Sequence, residues 1–377
     1  MYLRKTHYFL LLILLVLSLS ITSTGFAQQQ LLDREGLSEE TLMHDGVERE
    51  YLLYIPPSYT EDAPLPLILN FHPLGAPMTF QYLFTQFDRY ADEYPAIIVT
   101  PQGLPSEGDA ALLQTEGIGE RLDNERLSEL LQNNGLGERL QETNFGERLQ
   151  EGGPGGRLQN GGPGGRLQEV GPGGRLQERG LAEQGVPVWN ISGETNGNLA
   201  DDVGFVQALI DELSVTHNVD STRIYAVGGS MGGMFSFELA CQLPDTFAAV
   251  AGMSGGMTAM TTNRCEVGRP IPILQIHSTE DPLVPYESVS MTLDFWVANN
   301  QTSTSPTVNV VSNPDTRRET VIEHHTYESG IDGTVVEHYK VIGGSHLAFG
   351  LSQATGVEIN REILRFFFQF DLNGARE

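Results

Sequence analysis

The stretch Arg223-Ile224-Tyr225-Ala226-Val227-Gly228-Gly229-Ser230-Met231-Gly232-Gly233-Met234 decides how this chain is read. An apolar run of strand character enters G-x-S-x-G, and a helical pattern from Met234 to Leu243 follows. Strand, tight turn and helix in that order lift a serine clear of a sheet as a nucleophile. Glycines at Gly228 and Gly232 suit a turn too tight for side chains on either side of Ser230. The start of the helix offers backbone N–H groups to a developing oxyanion, Met231 first among them.

Working outward, short apolar strands alternate with amphipathic helices. Glu50 to Ile55, Leu65 to Phe71, Ala96 to Thr100, Ala248 to Gly252 and Ile273 to His277 read as strands. A hairpin is expected from Thr320–Tyr327 and Val335–Ile342. Helices are expected at Phe84–Tyr94, Asp202–Val215, Glu287–Val297 and Ile359–Phe370. This alternation predicts an α/β fold with a mostly parallel, doubly wound sheet.

The middle of the chain has another character. Gly-Glu-Arg-Leu-Gln and Gly-Gly-Arg-Leu-Gln units recur, with arginines at 139, 148, 157, 166 and 175, one every nine residues. Each unit offers one dependable apolar side chain, and the later ones carry Gly-Gly-Pro-Gly-Gly. That composition buries too little surface to offset chain entropy, so a low-complexity tract without a packed core is expected over residues 105–184. Residues 28–104 and 185–377, about 270 in all, suffice for one core. The tract is therefore read as an insertion into a single domain.

At the start, Arg4 and Lys5, the apolar run Phe9 to Leu19 and Gly25-Phe26-Ala27 form the pattern of an export signal over residues 1–27. The expected location is extracellular or periplasmic. The formal charge of -27 argues against nucleic acid and anionic membranes as partners. Cys241 and Cys265 are the two cysteines, and in an exported chain an even pair points to a disulfide. No metal or organic cofactor is expected.

A serine nucleophile needs a base, itself oriented by a carboxylate, and on this fold the chain order is serine, acid, histidine. Of the histidines beyond Ser230, His346 lies in the loop after the last hairpin strand, at a carboxyl end where ligand chemistry gathers. His324, His325 and His338 fall within hairpin strands, and His277 reads as structural. Asp281, before Pro282 in the loop after strand 273–277, is the favoured acid, with Glu280 its competitor. In the loop His72-Pro73-Leu74-Gly75, Pro73 has no N–H, which makes Leu74 the expected second oxyanion donor.

These segments together resemble the secreted esterases of the polyhydroxybutyrate depolymerase family, with its feruloyl and acetylxylan esterase-like members. The resemblance runs through Asp45 to Tyr51, Pro101-Gln102-Gly103, Trp189-Asn190 and Asp201 to Phe205. It continues through the elbow, Leu239-Ala240-Cys241, His277 to Tyr286, and Gly343-Gly344-Ser345-His346. It implies an α/β-hydrolase fold, extracellular hydrolysis of small or polymeric esters, and a triad on Ser230, Asp281 and His346. The chain departs from the family pattern at Pro73, where His-Gly is usual, and at Leu347-Ala348-Phe349, where Trp-Pro often follows the histidine. Two other readings compete: a peptidase on the same fold, and a non-catalytic binding protein whose working part is the repeat tract.

Overall fold

A computed structural model describes residues 34–106, 186–192, 200–311, 321–347 and 357–376. Residues 1–27, read above as an export signal, lie outside them, as does the tract expected over 105–184 apart from Pro105 and Ser106. The strands, in chain order, begin with β1 (Leu37–His44), β2 (Val47–Tyr54), β3 (Leu65–Phe71), β4 (Ile97–Pro101), β5 (Pro105–Ser106) and β6 (Val186–Pro187). They continue as β7 (Val219–Gly229), β8 (Ala249–Met253), β9 (Ile273–Ser278), β10 (Thr307–Val310), β11 (Val321–Tyr327) and β12 (Val336–Ile342). The helices are α1 (Met78–Thr85), α2 (Asp202–Thr216), α3 (Met231–Gln242), α4 (Ala259–Arg264), α5 (Glu287–Asn300) and α6 (Ile359–Phe367).

Ten strands form one sheet in the order β1-β2-β4-β3-β7-β8-β9-β12-β11-β10. The six from β4 to β12 in that order are parallel to one another, and antiparallel strands flank them on both sides. Alternation along β7 builds a core on each face. Tyr225 and Val227 join Phe366 and Phe367 of α6 and Phe80 and Phe84 of α1. Ile224 and Ala226 join Phe205 and Leu209 of α2, Phe235 of α3 and Trp296 of α5. This is the α/β-hydrolase fold, with its mostly parallel central sheet.

Several boundaries differ from expectation. The helix expected over 84–94 is instead α1, which starts after Pro77 and ends where Gln86 turns left-handed at φ 45°, followed by a 3-10 turn at Phe87–Tyr90. Helix α3 begins at Met231, three residues early, because Gly232 and Gly233 lie inside it; a side chain on Gly232 would run into the Phe71 carbonyl. Helix α6 stops at Phe367, before a short Phe370–Asp371 strand. Strand β1 was not anticipated. It pairs with β2 across a two-residue turn, Asp45-Gly46, both at positive φ, which is the hairpin signature of Asp-Gly. Strand β10 and helix α4 were also not anticipated.

Strands β5 and β6 pair antiparallel, Pro105 with Pro187 and Ser106 with Val186. The chain thus leaves the sheet domain and returns to it at one point. Pro105 and Ser106, assigned to the tract from the sequence, belong to this paired stem. Cys241 and Cys265 are disulfide-bonded, with 5.0 Å between their Cα atoms, and link the end of α3 to the residue after α4.

Candidate active site

Parallel strands bring five carboxyl ends to one rim. Phe71 of β3 stands opposite Gly228 of β7, and Gly229 stands opposite Met253 of β8. On the next pair, His277 and Ser278 of β9 stand opposite Lys340 and Val341 of β12. Ser230, Asp281 and His346 follow β7, β9 and β12 respectively.

Ser230 adopts φ 52° and ψ −118°, a conformation that side chains adopt only under constraint. The constraint is visible. Its N–H donates to the Met253 carbonyl at 2.7 Å, and its carbonyl accepts the Met234 N–H at 3.1 Å. A side chain on Gly228 would strike the Gly232 backbone. Gly228 and Gly232 both sit where backbone approaches too closely for a side chain. Ser230 is partly exposed while its neighbours are buried.

His346 and Asp281 meet at 2.7 Å, Nδ1 to Oδ2, in surroundings that leave them 6% and 7% exposed. The other carboxylate oxygen accepts the Leu283 and Val284 N–H groups, each at 2.9 Å. Burial pushes the Asp281 carboxyl up, but the His346 hydrogen bond and charge, together with His277, outweigh it and hold the group below its ordinary value. It is thus an anion at neutral pH. Glu280, the competing acid, is exposed, and its backbone N–H donates to the Gly344 carbonyl at 3.2 Å.

Leu347 connects this pair to the elbow. It holds φ 54°, and its N–H donates to Ser254 Oγ at 3.2 Å. Its Cδ2 lies 3.4 Å from where a side chain on Gly229 would begin, next to Ser230. The histidine loop is therefore folded down onto the turn that carries Ser230.

The opposite wall is the loop after β3. Gly75 and Ala76 donate to the Pro187 and Pro73 carbonyls, whereas the Leu74 N–H has no acceptor among the described residues. Met231 opens α3, where first-turn N–H groups lack helical partners. His72 anchors this loop. Its Nδ1–H donates to the Pro73 carbonyl at 2.7 Å, and its Nε2 accepts from the Gly103 N–H at 2.8 Å and from Gln102 Nε2 at 3.1 Å. Burial drives its pKa down to about 4, so the ring is neutral. The Trp189 indole donates to the His72 carbonyl at 3.0 Å and stacks on Phe235.

Behind this loop, Arg49 and Asp202 form a buried ion pair at 2.7 Å, and Asp202 also accepts the Asn190 N–H. The Arg49 guanidinium lies 3.9 Å over the Phe205 ring. The scattered segments Asp45–Tyr51, Pro101–Gly103, Trp189-Asn190 and Asp201–Phe205 thus converge as one support.

Sequence reasoning placed His277 in the core and assigned it no part in the site. It is buried, with Nε2 donating to the Val284 carbonyl at 2.9 Å and 3.4 Å from Asp281 Oδ2. Its i, i+4 spacing to Asp281 was the available signal. Ser254 was also missed; it lies in a small-residue loop, Ser254-Gly255-Gly256, directly after β8. His324, His325 and His338 have other partners. His324 faces Glu337, His325 faces Glu323, and His338 accepts from the Tyr286 hydroxyl. Among the described residues, one group could bring three metal-ligating atoms together: His44, Asp45 and Asp201, near the β1–β2 turn. The Asp201 carboxylate there already caps α2 by accepting the Gly204 N–H at 2.9 Å.

Residues 191–325, which hold the elbow and the acid, match the family described as phospholipase/carboxylesterase. The bifunctional acetylxylan esterase/xylanase XynS20E of Neocallimastix patriciarum is 27% identical over 162 residues, 43% of this chain and 22% of that protein. Feruloyl esterase B of Piromyces equi is 40% identical over 89 residues, 23% of this chain and 17% of that protein. Feruloyl esterase C of Emericella nidulans is 35% identical over 107 residues, 28% of this chain and 37% of that protein. The chain spans well under half the length of each of these relatives. Feruloyl and acetylxylan esterases are therefore among its homologues.

Proposed function

We infer that the chain is a serine esterase acting on carboxylic esters of the feruloyl, acetyl or hydroxyalkanoate class. Ser230 attacks the ester carbonyl while His346 takes its proton. Asp281 fixes the imidazole with its proton on Nδ1, so that Nε2 serves as base, and stabilises the imidazolium that forms. Backbone N–H groups of Met231 and Leu74 receive the oxyanion, and one such donor is worth roughly 3 kcal/mol of barrier. His346 then protonates the leaving alcohol, and water repeats the sequence on the acyl-enzyme. No step calls for a metal or organic cofactor.

The observation that carries this reading is the buried 2.7 Å contact between His346 and Asp281, on a loop whose next residue packs against the turn of Ser230. Export is part of the proposal: the leader pattern and the Cys241–Cys265 disulfide both suit an oxidising compartment. The insertion is proposed to be a passenger of the catalytic domain, consistent with its two ends meeting in β5 and β6.

The test is a panel of short-chain, acetyl-sugar, feruloyl and hydroxybutyrate esters, run on the wild type and on Ser230→Ala. Hydrolysis and fluorophosphonate labelling should both vanish with Ser230. Labelling that persists in the variant would sink the assignment, and peptide cleavage without ester cleavage would favour a peptidase.

A further inference from the structure

Gln81 is fully buried on α1, and its side chain begins a directional relay. Its Nε2 donates to Asn70 Oδ1 at 2.7 Å, Asn70 Nδ2 donates to Thr85 Oγ1 at 2.8 Å, and the Thr85 hydroxyl donates to the Gln81 backbone carbonyl at 3.0 Å. The Thr85 hydroxyl has one hydrogen, and it is used on that carbonyl. Its oxygen must then accept from Asn70, so Asn70 must present its oxygen to Gln81, and Gln81 must present its amide nitrogen. Gln81 Oε1 is left as the terminal acceptor, and no donor reaches it among the described residues.

That oxygen faces the nucleophile turn. A methyl group on Gly229 would stand 3.4 Å from Gln81 Oε1, and equally 3.4 Å from Pro73 Cγ and Leu347 Cδ2. These three atoms lie around Gly229, the residue before Ser230, whose Cα lies about 3.8 Å further along the chain. Pro73 belongs to the oxyanion loop and Leu347 follows the base. A polar oxygen between two apolar walls, buried and without a donor, is costly unless something bound there supplies a hydrogen.

We propose that Gln81 Oε1 accepts a hydrogen bond from a hydroxyl carried by the ester bound at Ser230, making Gln81 a specificity-determining residue for hydroxylated esters. The inference rests on the serine esterase reading of this site. A buried acceptor discriminates by leaving itself unpaired when the deoxy analogue binds. A side chain at Gly229 would put its first carbon 3.4 Å from the acceptor, in contact with it.

The experiment compares kcat/KM for two matched pairs. Ethyl lactate against ethyl propionate places the hydroxyl on the acyl side; 2-hydroxyethyl propionate against propyl propionate places it on the alcohol side. The wild type should favour the hydroxylated member of one pair by tenfold or more, and that pair identifies the side that Gln81 reads. Gln81→Met, which keeps the length and removes the acceptor, should bring the ratio close to one. Gly229→Ala, which sets a methyl group against the acceptor without touching the relay, should lower the same ratio and decides the matter if Gln81→Met fails to fold. A wild-type ratio near one for both pairs, or a ratio unchanged in the folded variants, overturns the proposal and leaves the esterase reading standing. Hydrolysis that survives in Ser230→Ala, or a wild type inert on all four esters, overturns the underlying reading instead.

Discussion

His346 meets Asp281 through the one carboxylate oxygen that the acid's own loop leaves free, Oδ2, while Oδ1 is held by the Leu283 and Val284 N–H groups. The acid is therefore oriented before the histidine reaches it. Asp281→Asn would keep the shape and remove the charge that holds the imidazole with its proton on Nδ1. We expect kcat/KM for ester hydrolysis at neutral pH to fall by roughly 10⁴-fold. Steady-state kinetics on a short-chain ester checks this, and a loss below tenfold would remove Asp281 from the triad.

His277 braces the same loop from beneath through the Val284 carbonyl and approaches Asp281 Oδ2 at 3.4 Å. It touches no reacting atom, so it acts as a positioning residue. His277→Phe should lower kcat by about 10- to 100-fold, the order expected from a small misplacement of the acid, with KM nearly unchanged. His277→Gln, which retains an N–H for the Val284 carbonyl, should recover part of the loss. Equal effects on kcat and KM, with no recovery, would indicate a merely structural role.

His72 predicts a pH dependence of stability. Its pKa falls from 6.5 in the unfolded reference to about 4 in the fold, because burial disfavours the charged ring. Between those values the unfolded chain binds a proton that the folded chain refuses, so stability is present above 6.5 and lost as pH falls toward 4. The contribution is about 3 kcal/mol across that window. Urea unfolding at a series of pH values should show a steeper fall for the wild type than for His72→Gln. Identical slopes would contradict the buried neutral imidazole.

The Cys241–Cys265 disulfide ties a loop of 24 residues' separation at the end of α3 remote from the elbow, ten residues or roughly 15 Å from Met231. Cys241→Ala/Cys265→Ala should lower the unfolding free energy by about 3 kcal/mol through added entropy of the unfolded chain. The Arg264–Glu238 ion pair at 2.6 Å still joins the same two segments in the fold. Esterase rates of the folded variant at low temperature should therefore match the wild type. A large drop in kcat at equal folded fraction would mean that the disulfide shapes the site itself.

The candidate site was legible where its logic is local. The strand entering Gly228, the glycine on either side of the serine turn, the proline after Asp281 and the order serine, acid, histidine are all read along the chain. What stayed hidden depends on groups far apart in sequence that meet only in three dimensions. Arg49 meets Asp202 across 153 positions, and Gly103 reaches His72 across 31. Nothing near Gln81 announces that its side chain faces the Ser230 turn, because that depends on the direction of α1. The early helix boundary failed for a similar reason. Apolar spacing continues through Phe87 and Tyr90, but Gln86 adopts a left-handed backbone that no pattern of hydrophobicity records.

The paired stem of β5 and β6 fixes where the chain leaves the sheet domain and where it comes back. Ser106 and Val186 stand paired, so the chain departs from the described domain and re-enters it at neighbouring positions. Closing a longer loop costs only about 0.6 kcal/mol per doubling of its length. Removing one nine-residue unit is therefore expected to leave the urea unfolding midpoint of the sheet domain nearly unchanged.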